Sequence, residues 1–299
     1  MNLKPMNPTK NLVFLFIFLP LIANAQRDWA AMTVETTELA PGIHRLFVGG
    51  SVSVIAFTGE EGVLLIDAAY EQTVPQLKAA VGALSDKPLR YVVNTHIHGD
   101  HTGGNLGLGE GVDIISHHSV KDYLGTERTQ GERVIPAFPV HARPNITFSH
   151  ELDLEFNGQT LQMLHLPEGH TKGDIIIYFQ EGNVLVMGDL LFADNFPFVD
   201  VSNGGHPFGY LENLEWIIAN YPADAVISGG HGPVYTMDEL AAWRQTLVET
   251  VEVVHEAKRQ GLSAEEMKEA RILEPWADMG RFFITEDRWI DTLYPFLPL

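Results

Sequence analysis

Apolar residues recur along this chain in two rhythms, and the rhythms alternate. Residues 42–57 carry Ile43, Leu46, Val48, Val52, Val54 and Ile55 around a Gly49-Gly50 break, a pattern that predicts a β-hairpin or meander. Gly59-Glu60-Glu61-Gly62 then turns the chain into an apolar run at 63–66, a buried strand that ends on Asp67. Residues 73–84 switch to helical spacing, with Val74, Leu77, Val81 and Leu84 on one face. Thr73 is placed to cap that helix, and Pro75 falls in its first turn, where proline is tolerated. Strands are predicted again at 89–93 and 112–116, then a short helix over 120–126 and a long loop over the proline-interrupted stretch 128–144.

The second half restarts the pattern. Strands are predicted at 146–148, 152–156, 160–165, 175–179 and 184–187, a helix over 211–221 with Leu211, Leu214 and Ile218 inward, and a strand at 225–228. The stretches 59–67 and 181–189 share a turn, an apolar strand and a terminal aspartate, a weak sign of internal duplication. Thr236 and Glu239 have the spacing of a capping box, opening a long helix through Leu240, Trp243, Leu247, Val251 and Val254 to near Gly261. Ser263 and Glu266 repeat the device for a last helix. An aromatic tail with Trp276, Phe282, Phe283, Trp289, Tyr294 and Phe296 is expected to pack on the body rather than to wall a pocket. The order of elements predicts a layered α/β protein with sheets inside and helices outside.

The chain has 299 residues, 45% hydrophobic and 19% charged, an ordinary globular composition. Residues 1–25 stand apart. Lys4 and Lys10 precede an apolar run at 12–22, and Ala23-Asn24-Ala25 is a small-x-small cleavage site. This stretch reads as a secretory signal peptide cut after Ala25, so the protein is expected to be periplasmic or secreted, with no membrane span once cut. The formal charge is −20, and removal of residues 1–25, which carry two lysines and no acids, takes it to −22. That balance argues against a nucleic-acid partner. There is no cysteine, so neither disulfides nor thiolate ligands are available.

Candidate chemistry is concentrated at 95–105, Thr-His-Ile-His-Gly-Asp-His-Thr-Gly-Gly-Asn, directly after a predicted buried strand. His96, His98, Asp100 and His101 fall within six positions. In extended backbone His96 and His98 face the same way, and a turn at Gly99 sends Asp100 and His101 toward a second point. Imidazoles and carboxylates suit zinc, manganese or iron. Left without a metal, four such groups beside a buried strand would be costly. His170, Asp189 and His231 each fall at a turn or strand end, where ligand-binding edges of α/β sheets form. The seven divide into His96, His98 and His170 for one metal, Asp100, His101 and His231 for a second, and Asp189 between the two.

The His-x-His-x-Asp-His run at 96–101, Gly-His-Thr-x-Gly-Asp at 169–174, Gly-Asp at 188–189 and Gly-Gly-His-Gly at 229–232 resemble, in order, the motifs of the metallo-β-lactamase superfamily. The resemblance covers about residues 40–236. It implies an αββα sandwich with a metal pair, usually zinc, at the sheet edges. The subgroup it resembles has a bridging aspartate and includes glyoxalase II-like thioesterases, lactonases and phosphotriesterases. Domains follow as a catalytic unit over 26–236 and a helical extension over 237–299 packed on it. True β-lactamases of the family generally lack the bridging aspartate, and the largest class uses a cysteine ligand. Glyoxalase II binds glutathione through basic C-terminal residues. Lys258, Arg259, Lys268 and Arg271 are the candidates here, but their spacing fits a solvated helix face equally well.

The expected activity is hydrolysis of a small ester, thioester, lactone or lactam by a hydroxide bridging two divalent ions, expected to be Zn2+, with Asp100 orienting it and moving its proton. Asp67 stands either behind a ligand imidazole or in a plain strand-end hydrogen bond. The loop at 192–210 is expected to overhang the cleft, with Phe196, Phe198 and His206 shaping substrate choice. His117, His118, His141, His150 and His165 take no role in this reading. Three alternatives stay open: a mononuclear iron oxygenase resembling the sulfur dioxygenases, a β-lactamase as main or side activity, and a non-catalytic accessory protein. No sequence feature bears on the oligomeric state.

Overall fold

The computed structural model of the protein describes residues 28–131 and 133–298. The predicted signal peptide therefore lies outside the described residues. The first sheet gathers β1 (Val34–Ala40), β2 (Ile43–Val48), β3 (Val52–Gly59), β4 (Gly62–Ile66), β5 (Leu89–Val93), β6 (Asp113–His117) and, beyond two short strands, β9 (Ile146–Phe148). Those short strands, β7 (Arg128–Gln130) and β8 (Arg133–Ile135), form a separate hairpin inside the stretch read as a loop. The second sheet runs β10 (Glu151–Phe156), β11 (Gln159–His165), β12 (Ile175–Phe179), β13 (Val184–Phe192), β14 (Val226–His231) and β15 (Val234–Tyr235). β9 thus opens the second half in sequence but closes the first sheet, parallel to β6.

Alternation along the strands makes four layers. In β4, Leu64 and Ile66 face the other sheet, where they meet Leu161, Ile177, Phe179 and Val186. Val63 and Leu65 face the opposite way, toward Val74 and Leu77 of α1 (Val74–Leu84). On the second sheet Leu185 and Met187 point outward, against α5 (Pro207–Asn220), α6 (Met237–Arg259) and α8 (Glu286–Leu293). Between these come short helices: α2 (Gly99–Thr102), α3 (Asn105–Leu108), α4 (His118–Leu124) and α7 (Ala264–Glu269). The C-terminal helices share one continuous apolar cluster with β13 and α5. Trp289 lies wholly inside it, stacked on Phe196 at 6.0 Å, with its Nε1–H donating to Thr250 Oγ1 at 2.8 Å. No helix of the described residues is long and apolar enough to cross a membrane.

Several local expectations shift. Thr73 precedes α1, but its hydroxyl donates to Tyr70 O rather than accepting from the helix. The capping boxes at Thr236/Glu239 and Ser263/Glu266 both form. α5 begins at Pro207, and its deep contact is Ile217, with Ile218 only partly buried. The paired motifs at 59–67 and 181–189 occupy corresponding places. β4 and β13 each pair antiparallel with the strand before and parallel with the strand after.

Candidate metal centre

The site lies where the strands of both sheets run out at one edge. β5 ends at Val93, and the chain passes through Asn94 and Thr95 into the histidine cluster, where α2 starts at Gly99. His170 sits in the turn between β11 and β12. There Asp174 accepts from Thr171 N–H at 2.8 Å and from the Thr171 hydroxyl, closing the turn. Burial pushes the Asp174 carboxyl up to about 7, against the pull of the Thr171 hydrogen bonds. Asp189 does not end its strand as predicted. β13 runs on to Phe192, with an irregularity at Gly188, whose φ is +50° and where a Cβ would lie 2.6 Å from Thr95 Oγ1. His231 ends β14. The preceding Gly230 lets the two strands close, since a Cβ there would lie 2.1 Å from Asp189 Oδ1.

All seven predicted residues converge. They form two groups able to hold a metal ion, His96/His98/His170/Asp189 and Asp100/His101/His231, with the ligand atoms of each group within 4.8 Å of one another. The two carboxylate oxygens of Asp189 divide between the groups. Oδ2 lies 3.6 Å from His96 Nε2 and 3.4 Å from His170 Nε2. Oδ1 lies 3.1 Å from His101 Nε2 and 3.4 Å from His231 Nε2. Asp100 Oδ2 closes the second group at 3.4 Å from His231 Nε2.

The outer contacts fix what each imidazole presents inward. His170 Nδ1 donates to Phe198 O at 2.7 Å, and His231 Nδ1 to Ser51 O at 2.7 Å. His101 Nδ1 donates to Asp67 Oδ2 at 2.7 Å. His96 Nδ1 donates to Thr95 Oγ1 at 3.0 Å, and the Thr95 hydroxyl in turn donates to Asp67 Oδ2 at 2.7 Å. His98 is reversed: its Nε2 donates to Asp200 Oδ2 at 2.9 Å, leaving Nδ1 inward. Tautomers follow from these partners. In the neutral rings every inward nitrogen is then a lone pair. His98 Nδ1 stands 2.8 Å from His170 Nε2 and 3.2 Å from His96 Nε2. Acceptors facing acceptors at such distances repel unless a cation lies among them. Nitrogens bound at about 2.0–2.1 Å around a tetrahedral zinc sit roughly 3.3 Å apart. His101 Nε2 and Asp189 Oδ1 are moreover buried with no hydrogen-bond partner, atoms that a metal ion would satisfy. The residues fit a metal pair.

The carboxylates draw positive charge to the second group, where without a metal ion protons on His101 and His231 take the nitrogens an ion would bind. Burial depresses His170 to about 3 and holds His96 well below its ordinary value. Burial also works against charge on His101 and His231, yet Asp189 outweighs it, helped by Asp67 and Asp100 at His101 and by Asp100 at His231. His231 rises to about 10 and His101 well above its usual range. Burial opposes charge on Asp189 as well, but His101, His231 and His96 hold its carboxyl well below the carboxylate range.

Sequence reasoning missed Asp200 as a partner of the cluster. Besides His98 it accepts from Ser202 Oγ at 2.6 Å and Asn203 Nδ2 at 2.6 Å. Burial resists its charge, but these donors hold the carboxyl far below its usual range. Of the three loop residues expected to shape substrate choice, only Phe198 reaches the site, stacked on His98 at 5.6 Å. Phe196 is in the core against Trp289, and His206 caps α5, its Nδ1 accepting from Gly209 N–H. The aromatic tail splits too. Trp276, Trp289 and Tyr294 pack on the body, but Phe282 lies 5.5 Å from His231, and Phe283 lies 5.6 Å from Phe198. The four basic candidates are engaged locally: Lys258 with Tyr294 O and Leu297 O, Arg259 with Glu256, Lys268 with Glu265 and Asp291, Arg271 with Glu274. Away from the site, His117 stacks on His165 at 3.8 Å. A cavity of about 440 Å³ flanks the cluster, lined by Ile97, Tyr123, Arg128, Thr171, Lys172 and Asn203 among others.

Residues 46–231 match the metallo-beta-lactamase superfamily. A hydroxyacylglutathione hydrolase of Synechococcus sp. is 33% identical over 129 residues, 43% of this chain and 44% of that protein. The chain thus spans less than half the length of that relative. A probable metallo-hydrolase of Bacillus subtilis, YqgX, is 26% identical over 145 residues, 48% of this chain and 68% of that one. Among solved structures, a metallo-beta-lactamase from Pontibacter korlensis superposes with a TM-score of 0.59 at 20% identity, covering 72% of this chain and 99% of its own. With that family match over most of the chain and these layers around these motifs, the protein belongs to the metallo-beta-lactamase superfamily.

Proposed function

We propose that this protein is an exported hydrolase that holds two divalent ions, zinc by preference, and cleaves a small ester, thioester, lactone or lactam. His96, His98 and His170 would hold one ion, and Asp100, His101 and His231 the second, with Asp189 between them. The observation that carries this reading is the division of Asp189, one oxygen to each histidine group, with Oδ1 buried and unpartnered. The thioesterase option is supported by relatives named hydroxyacylglutathione hydrolase. Export rests on residues 1–25.

When bound, such an ion pair supplies Lewis acidity and a water acidified toward neutrality. The chain's own groups define the rest. Five of the seven side chains are almost fully buried, while His98 and Asp100 keep 20% and 22% of their side-chain surface, so substrate enters between them. Asp100 stands at that opening with its carboxyl held below the usual range; burial opposes this, and His101 and His231 overcome it. Its place at the opening, beside His231, sets it to orient the attacking water and take its proton. Asp67, Thr95 and Asp200 hold the imidazoles in one orientation, and Phe192 and Phe198 keep bulk water from their flanks.

The test is metal content and turnover of the chain from Gln26 onward, on matched thioester, ester, lactone and β-lactam substrates, with Asp189→Ala as the blank. Two ions per chain and one preferred substrate class, both lost in the blank, are expected. A single bound iron with oxygen consumption would sink the hydrolase reading.

A further inference from the structure

Six large hydrophobic side chains are exposed among the described residues, and two of them, Phe282 and Phe283, are adjacent and lie at the metal centre. Phe282 is 38% exposed with its ring 5.5 Å from that of His231; Phe283 is 41% exposed, 5.6 Å from Phe198 and 6.1 Å from Phe192. The two phenyls meet edge to face at 4.9 Å. Phe198 and Phe192 in turn stack on His98 and His231, at 5.6 and 4.9 Å. One aromatic wall thus runs from the first histidine group to the second, and its outer two rings stay wet. The segment is fastened on both sides. Phe196 N–H donates to Met279 O at 2.9 Å, Arg288 Nη1 donates to Phe283 O at 2.9 Å, and Ile284 is buried. A fixed pair of exposed phenyls beside a reactive centre marks a binding surface.

We propose that Phe282 and Phe283, with Phe198, form the subsite for an apolar group next to the scissile bond, so that the substrates are esters, thioesters or lactones with an alkyl or aryl acyl portion. This inference rests on the hydrolase reading for the reaction but on the aromatic wall for the selectivity. A short polar acyl group would leave both phenyls in water, whereas an alkyl chain buries them, at about fourfold in affinity per methylene covered.

The test separates binding from turnover. The zinc-loaded protein is titrated calorimetrically with straight-chain carboxylates of rising length, the product acids, and kcat/KM is measured on the matching acyl thioesters. Affinity should climb about fourfold per methylene and level off once the chain passes the phenyls. Phe282→Ala with Phe283→Ala should flatten the series, and Phe282→Leu should keep most of its slope. Trp216→Ala, an equally exposed aromatic on α5, should leave the slope as it is. Metal content and circular dichroism establish that each variant is folded. A flat series in the natural protein, or an unchanged slope in the double variant, overturns the proposal. Graded binding without turnover of the thioesters or of the matching esters, lactones and lactams keeps the subsite and defeats the hydrolase reading; turnover without grading does the reverse. If the double variant turns a dimer into a monomer and leaves the slope intact, the phenyls are a subunit interface and the proposal falls.

Discussion

Asp67→Asn isolates the contribution of a residue behind the ligands. Asp67 Oδ1 accepts from Thr95 N–H at 2.8 Å, and Oδ2 accepts from the Thr95 hydroxyl and from His101 Nδ1, each at 2.7 Å. The backbone here has φ of +64°, a left-handed conformation that asparagine tolerates as well as aspartate, so the substitution adds little strain. An amide cannot accept at both positions. With its oxygen at the Oδ2 place, its NH2 confronts the Thr95 N–H, two donors 2.8 Å apart in a buried site. Turned over, its NH2 confronts His101 Nδ1, which must then accept, and the imidazole proton moves to Nε2, the atom 3.1 Å from Asp189. Either arrangement leaves a buried polar group frustrated, at about 1–3 kcal/mol. The second also removes the lone pair that His101 offers a metal. The expected outcome is metal affinity weakened about 10- to 100-fold, or roughly 1.4–2.7 kcal/mol, with the fold retained. Competition with a chromophoric chelator measures this directly. Affinity within twofold of the natural protein would refute the reasoning.

Asp200→Ala removes the acceptor of His98 Nε2, so on the proposed two-ion reading an ion at His96, His98 and His170 should bind about tenfold more weakly while one at Asp100, His101 and His231 is little changed; equal weakening of both in a stepwise titration would contradict this. Trp289→Ala should cost about 3–5 kcal/mol in denaturant unfolding, because the indole is wholly buried and its N–H is satisfied by Thr250; a cost below about 1 kcal/mol would show that the C-terminal helices add little. His117 is held down to about 4, first by burial and then by His165 and His118, below its unfolded value of about 6.5. The folded state thus resists its protonation, and the stability present above pH 6.5 is lost as pH falls toward 4. His117→Asn, which keeps an acceptor for the Ser119 N–H at the start of α4, should shrink the fall in Tm between pH 6.5 and 4.5, and an unaltered fall would assign that loss to other groups.

The seven candidate ligands were legible because their chemistry is local or follows a turn or an apolar run. Four candidates fall within one stretch, His170 lies in a turn, His231 ends β14, and Asp189 follows an apolar run though its strand continues past it. The residues behind them were not legible in the same way. Asp200 reaches His98 across 102 positions, and only the path of the chain after β13 brings it there. β1 went unread because Val34–Ala40 is a polar edge strand, exposed along most of its length, with no apolar face to alternate. β13 was cut short because Gly188-Asp189 looks like a stop, whereas its nine residues are all buried and the irregularity at Gly188 is absorbed within the strand. Phe282 and Phe283 have the composition of core residues. Hydropathy cannot separate an aromatic that faces the core from one that faces a substrate.

The paired motifs explain why the centre forms at this edge. Each half makes an antiparallel-to-parallel junction, at β4 and at β13, and each apolar strand leads into an aspartate. In the first half Asp67 turns into left-handed backbone and binds the outer nitrogen of His101 at 2.7 Å; in the second Asp189 stays in its strand and faces the inner nitrogen of the same ring at 3.1 Å. One imidazole thus stands between carboxylates from both sheets, donating to Asp67 and turning its other nitrogen toward Asp189. That arrangement forms only if the sheets meet in register. Packing between the layers sets that register through Leu64 and Ile66 against Ile177 and Val186, far from any ligand. The position of the ligands is therefore a consequence of the core, and substitutions in the inter-sheet layer act on the centre through the spacing of Asp67 and Asp189 across His101.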